Sequence, residues 1–234
     1  MRMSQHYEQV GVAVTCRSFE EYVRMFDLRE QRLEGRILDI AGGASSFTAD
    51  AVAGGLDAYA ADPRYALDYE VLIREATEEI AVSAAKIAKL ADKFDFSYYG
   101  SVDNHRANRE ASLLRFEAHF GQPEERAKRY TAASLPHLPL ESDSFDIVLC
   151  SHFLFLYEDQ FDYSFHRDAI LEMMRVCKPG GTVRIYPVMS LRWTPYAHMD
   201  ELLEAIRGAG GSPGFFTSKL PFIPGSELGL FVNL

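Results

Sequence analysis

The chain is expected to fold as an α/β domain on a doubly wound, mostly parallel sheet, and three observations predict this. Short apolar runs alternate with segments of helical period along most of its length. One of these runs, ILDI, ends in a glycine-containing turn followed by a helix, AGGASSF at 41–47. The chain closes on two strand-like segments around Pro224-Gly225, which read as a hairpin and add an antiparallel strand. With 234 residues and 47% hydrophobic content, a single domain over 1–234 has ample core.

The elements follow in order. RSFEEYVRMFDL reads as a helix start, with Ser18 as cap and Glu21 at capping-box spacing; Phe19, Tyr22, Val23 and Phe26 repeat at helical intervals. Gly35 breaks the chain before the strand RILDI. The next helix runs from Phe47 to about Val52 and stops at Gly54-Gly55. LDAYAAD is a second strand ending at Asp62-Pro63. From 63 to 128 the period is helical: a long Ala/Glu/Lys-rich helix, then DNHRANREASLLRFEAHF with Asn104 or Asp103 as its cap. That is roughly 65 residues where such crossovers use about a dozen, so 63–128 reads as a helical insertion over the substrate site. RYTAAS and FDIVLC read as strands. FHRDAILEMMRVCK is an amphipathic helix stopped by Pro179-Gly180-Gly181, TVRIYPV a strand, and YAHMDELLEAIRGAGG a helix. GFFTSKL and ELGLFVNL form the closing pair.

Composition excludes some classes. The formal net charge is −10 and no run of Lys or Arg stands out, so a nucleic-acid partner is not expected. No apolar run approaches bilayer length, so no membrane partner is expected. Cys16, Cys150 and Cys177 lack metal-ligand spacing, which predicts no metal site and buried, reduced thiols. The amino terminus carries Glu and His in place of an apolar core and makes a poor signal peptide. The chain therefore reads as cytoplasmic.

The turn after ILDI suits a nucleoside-type ligand. Gly42 and Gly43 allow close backbone approach, and Ser45 and Ser46 open the next helix. Asp39 sits beside the turn. Asp62 ends the second strand about twenty residues on, where a carboxylate can accept both ribose hydroxyls. Ala41 and Ser45 replace glycines of a dinucleotide fingerprint, and bulky Phe47 follows; a pyrophosphate needs closer approach to the helix start than a phosphate-free nucleoside does.

Together these blocks resemble a class I S-adenosylmethionine-dependent methyltransferase. ILDIAGGASSF is similar to that family's first motif and AYAADP to its second. AASLPHLPLESDSFDIVLCSHFLFLYED resembles the adenine-contact segment and fourth strand, and EMMRVCKPGGTVRIYPV the helix, turn and fifth strand after it. The resemblance implies a Rossmann-like, seven-stranded sheet with the last strand antiparallel, with S-adenosylmethionine as cofactor and S-adenosylhomocysteine as product. It places Ala41, Gly42, Gly43, Ser45 and Ser46 around the methionine end, and Asp62 with Pro63 at the ribose. Ser134 and Leu135 flank the adenine, and Ser151 and His152 lie beside the cofactor. Ser134 stands where the family often has an aspartate, which weakens the bond to the adenine amino group.

The family has no universal catalytic residue. By position His152 is the candidate proton acceptor, the alternative being a hydrogen bond to cofactor or backbone. Tyr22 and Met25 either close over the cofactor or belong to the core, and Tyr157 either lines an acceptor pocket or packs. His166 reads as a cap or packing residue. In the insertion Tyr98, Tyr99, His105, Arg106 and Arg109 gather rings and cations suited to a small-molecule substrate bearing carboxylate or phosphate, or equally to a solvated helix. The leading reading is methyl transfer to a small molecule. A cofactor-binding sensor or partner module, and a nicotinamide-dependent dehydrogenase, are the alternatives.

Overall fold

In a computed structural model the described residues are 7, 9, 11–28 and 33–234. The first helix, α1 (Phe19–Met25), carries the expected capping box: Ser18 Oγ accepts from the Glu21 N–H, and the Glu21 carboxylate accepts from the Ser18 N–H. Ser18→Ala is expected to lower stability by about 1 kcal/mol in urea titration. An unchanged midpoint would remove the cap from the account.

The remaining elements are β1 (Arg36–Ile40), α2 (Phe47–Ala53), β2 (Asp57–Ala61), α3 (Tyr69–Lys89), α4 (Val102–Phe120), α5 (Pro123–Arg129), β3 (Tyr130–Thr131), β4 (Phe145–Ser151), α6 (Tyr163–Val176), β5 (Cys177–Tyr186), α7 (Met199–Gly208), β6 (Ser212–Thr217) and β7 (Leu228–Asn233). The seven strands form one sheet in the order β3-β2-β1-β4-β5-β7-β6. The first five in that order run parallel, and β7 is antiparallel to both β5 and β6. This is the Rossmann-like methyltransferase arrangement that the sequence led us to expect.

The alternation of side chains decides the two faces. On β1 and β4, Leu38, Ile40, Val148 and Cys150 join one core cluster with Ala169, Ile170 and Met173 of α6 and Leu202 and Ile206 of α7. Ile37, Ile147 and Leu149 join the other, with Tyr22, Phe26, Phe47 and Phe216. Both faces are apolar because helices cover both. A third cluster joins α3 and α4, through Leu72, Ala76, Ile80, Leu113, Phe116 and Phe120, to Val14, Cys16 and Ala44.

Three boundaries differ from expectation. Ser101 caps α4, its Oγ accepting from the Asn104 N–H, while the Asn104 side chain donates to the Tyr99 carbonyl. RYTAAS pairs with the sheet only at Tyr130–Thr131, since Ser134 turns back to bridge His137. Pro179-Gly180-Gly181 lies within β5 as a pairing irregularity between Cys177 and Thr182, and the helix ends before it at Val176. All three cysteines are free and buried. Among the described residues no helix is long and apolar enough to cross a membrane, and no cluster of His, Cys, Asp and Glu is placed to hold a metal.

Candidate cofactor and acceptor site

Strands β1 and β4 are neighbours whose connections leave toward opposite sides, so a crevice opens at their carboxyl ends. The turn after β1 forms one wall. Ala41 and Gly43 have φ of 56° and 55°, and a Cβ on Gly42 would meet Asp39 Oδ2 and the Tyr65 hydroxyl, each at 2.9 Å. A larger residue at 42 therefore needs those polar groups to move.

Two cavities adjoin there. The turn cavity, about 280 Å³, is lined by Ala41, Asp62, Pro63, Ser134, Leu135 and Phe153 among others. Its size is close to the lower end of ordinary ligand pockets, about 300 Å³. The covered cavity, about 100 Å³, lies under α3 and α4, with Ile80 and Ile87 from the first and His105 and Arg109 from the second. Val12 lines the turn cavity and Ala13 the covered one; Phe153 and His152 divide in the same way. Three of the five described non-glycine residues with positive φ line the two cavities: Ala41, His152 (51°) and Trp193 (62°). Such backbone strain collects where a fold holds a ligand surface.

Asp62 is 4% exposed. Its Oδ2 accepts from the Gly43 N–H at 3.0 Å and its Oδ1 from the Arg64 N–H at 2.9 Å. It thus ties the end of β2 to the turn, and its remaining lone pairs stay available at the cavity wall. Burial pushes its pKa up, against the lowering effect of those two backbone bonds. Asp39 is pushed well up, by burial first and by the charge of Asp62 as well, although the Tyr22 hydroxyl donates to its Oδ2 at 3.0 Å. Asp39 Oδ1 is buried without a partner, and Asp39 lines neither cavity. The Asp62 wall of the turn cavity fits the ribose of a nucleoside.

The serines are used differently. Ser45 Oγ accepts from the Arg17 N–H at 3.1 Å, and the Ser46 N–H donates to the Arg17 carbonyl and to Ser112 Oγ. Ser46 Oγ donates to Asp50 at 2.6 Å. With Ala44 N–H donating to the Thr15 carbonyl, they clamp residues 15–17 across the turn. Every N–H from Ala41 to Ser46 has a protein acceptor, which leaves none there for a pyrophosphate and disfavours the dehydrogenase reading.

His152 and Tyr157 line the covered cavity. His152 is 5% exposed, with Nδ1 3.0 Å from Ser151 Oγ. Burial first, then the charges of Arg17 and Arg109, lower its pKa well below the ordinary value. The ring is therefore expected not to titrate across the neutral range in imidazole NMR correlation spectra. A midpoint near the usual value of about 6.5 would overturn this environment. The Tyr157 hydroxyl accepts from the Ala13 N–H at 3.0 Å, so the residue both lines the cavity and pins the amino-terminal strap.

Other candidates lie elsewhere. Tyr22 is fully buried beneath the turn and Met25 packs in the core. Tyr98 packs on Tyr99 with Arg24 over its ring. Tyr99 donates to Glu21, and Arg109 donates to Tyr99 and pairs with Glu21. Arg106 faces outward, paired with Glu110 at 2.8 Å, and lines neither cavity. His166 packs in the core, facing the carbonyls of Asp162 and Leu154. Sequence reasoning missed Arg17, Glu79 and Trp193, all lining the covered cavity. No spacing rule links them, because they come from the strap, from α3 and from the loop after β5.

A family model described as a methyltransferase domain matches residues 109–185, from within α4 to the end of β5. An uncharacterized protein of Methanocaldococcus jannaschii is 30% identical over 189 residues, covering 80% of this chain and 83% of that protein. Among solved structures, a TehB-like S-adenosylmethionine-dependent methyltransferase from Corynebacterium glutamicum is similar with a TM-score of 0.48 at 18% identity, over 91% of this chain and 86% of that one. A methyltransferase from Aquifex aeolicus gives 0.41 at 16%, over 91% and 90%. The methyltransferase-domain match, taken with the strand order and the turn, gives the family: the chain belongs to the class I S-adenosylmethionine-dependent methyltransferase family, whose cofactor is S-adenosylmethionine.

Proposed function

We propose that this protein transfers a methyl group from S-adenosylmethionine to a small molecule held in the covered cavity. One observation carries the reading. Residues from three separate stretches, Ala41, Asp62 with Pro63, and Ser134 with Leu135, line one nucleoside-sized cavity that adjoins a second, lined in part by α3 and α4.

The cofactor supplies an activated methyl on a sulfonium, so the protein's task is alignment and exclusion of water. Asp62 holds the ribose and, through the Gly43 N–H, the shape of the turn. Ser134 and Leu135 bound the base. The covered cavity sets the acceptor against the crevice, with His152 at the boundary. An imidazole whose cation is disfavoured is a weak base, so His152 serves this reading as a hydrogen-bonding group that orients the acceptor.

Isothermal titration with S-adenosylhomocysteine and S-adenosylmethionine tests the first half. Heat from both is expected, and silence in calorimetry together with no thermal shift ends the reading. Binding without label transfer from methyl-labelled cofactor to any of a broad panel of small acceptors would favour a sensor.

A further inference from the structure

Ten described buried side-chain polar atoms lack a hydrogen-bond partner, and four of them belong to residues lining the covered cavity: Arg17 Nη1, Glu79 Oε1, His105 Nδ1 and Trp193 Nε1. Buried polar atoms in folded proteins are ordinarily paired, and four orphans around one hollow describe the ligand by what they lack.

Three of the four are donors. An arginine nitrogen and an indole N–H can only donate. His105 is fixed by its neighbour: its Nε2 lies 3.2 Å from Arg109 Nη2, which has only protons to offer, so Nε2 accepts and Nδ1 carries the proton. Burial, then the charges of Arg109 and Arg17, lower the His105 pKa to about 2, so the ring stays neutral in this tautomer. Stacking on Phe222 and a position 4% exposed hold it there.

Arg109 is not available to a ligand. Its guanidinium is engaged by Glu21, the Tyr99 hydroxyl and the Cys16 carbonyl. Among the described residues Arg17 has no ion-pair partner in hydrogen-bond contact, and its charge is close enough to His105 and His152 to act on both. The rest of the wall is apolar or aromatic, including Phe94, Leu156, Leu191 and Ile223. The volume of about 100 Å³ is below the about 150 Å³ that holds benzene, so a ring seated here fills the cavity and extends to its open side.

We propose that the covered cavity takes a single-ring organic carboxylate as methyl acceptor, its carboxylate received by Arg17 Nη1 and the His105 Nδ1–H. This rests on the methyltransferase reading for the word acceptor, but the anion site stands on its own geometry. The alternative source of a carboxylate is the methionine end of the cofactor itself, and the test separates the two.

Benzoate and its neutral isostere benzamide are titrated into the protein loaded with S-adenosylhomocysteine. Benzoate is expected to bind at least about tenfold more tightly; equal affinity overturns the proposal without requiring any variant. In Arg17→Gln that preference should vanish, while the affinities for S-adenosylhomocysteine and for 5′-methylthioadenosine, which lacks the amino-acid end, stay as in the wild type. If Arg17→Gln instead weakens S-adenosylhomocysteine alone and keeps the benzoate preference, Arg17 serves the cofactor and the proposal falls. His105→Phe keeps the stack on Phe222 and removes the donor; a severalfold loss of benzoate affinity is expected, and no loss removes His105 from the site. Should S-adenosylhomocysteine fail to bind while the benzoate preference persists in the free protein, the anion site stands and the methyltransferase reading is what fails.

Discussion

Glu21→Ala is expected to lower folding stability by about 3–5 kcal/mol, the cost of removing one partner from a buried ion pair. Glu21 is fully buried; its carboxylate accepts from the Ser18 N–H, the Tyr99 hydroxyl and Arg109. Without it, Arg109, 7% exposed, keeps its charge with only a carbonyl, a hydroxyl and an imidazole around it. Urea titration should show a large drop in midpoint; a loss under about 1 kcal/mol would mean that water reaches Arg109 and the pair is not truly buried. The double variant Glu21→Leu/Arg109→Met should recover much of the loss, because a buried pair replaced by apolar side chains is often neutral.

The same group has a pH signature. Burial alone would raise the pKa of Glu21, but the Arg109 charge and the bonds from Ser18 and Tyr99 outweigh it and hold the carboxyl below its usual range. With the folded value below the unfolded one, the stabilisation is complete above the unfolded pKa of about 4.3 and is lost as pH falls through the folded value. Acid should therefore erode the difference between wild type and Glu21→Ala. A difference constant down through that window would contradict the assigned ionisation.

Asp62→Ala is expected to weaken S-adenosylhomocysteine binding by about 1–3 kcal/mol, or roughly 5- to 150-fold in dissociation constant. On the proposed reading, the loss of bonds to the ribose accounts for that range. The Gly43 N–H also loses its acceptor at 3.0 Å, so the turn loosens and the upper end is favoured. Asp62→Asn retains an oxygen for one of these bonds and should fall between wild type and alanine. Calorimetry on variants first shown to be folded decides it. An unchanged dissociation constant removes Asp62 from the ribose.

How much was readable in advance depends on how locally each feature is encoded. Ser18 and Glu21 at three-residue spacing specify a capping box from contiguous chain, and the structure contains it. The serines of the turn show the limit. Ser45 and Ser46 read as ligand-facing donors, yet they hold the strap at Arg17 and the helix at Ser112, contacts 28 and 66 residues away. Helix α4 shows the same limit. Arg106 is one position, about 100°, round the α4 axis from His105. Polar residues are spread around α4, so its pattern did not say which arginine faces inward.

By itself the sequence determined the strand–helix order, the parallel sheet with its antiparallel closing strand, the glycine turn after β1 and the carboxylate at the end of β2. Those follow from side-chain period and backbone freedom within short stretches. Only the tertiary structure decided that Glu21, Tyr99 and Arg109 form one buried cluster, and that Arg17, Glu79, His105 and Trp193, each with an unpaired buried polar atom, line one small cavity. The reason is physical. A group becomes costly to leave unpaired only once packing has removed the water around it, and that packing brings together segments that no local spacing relates.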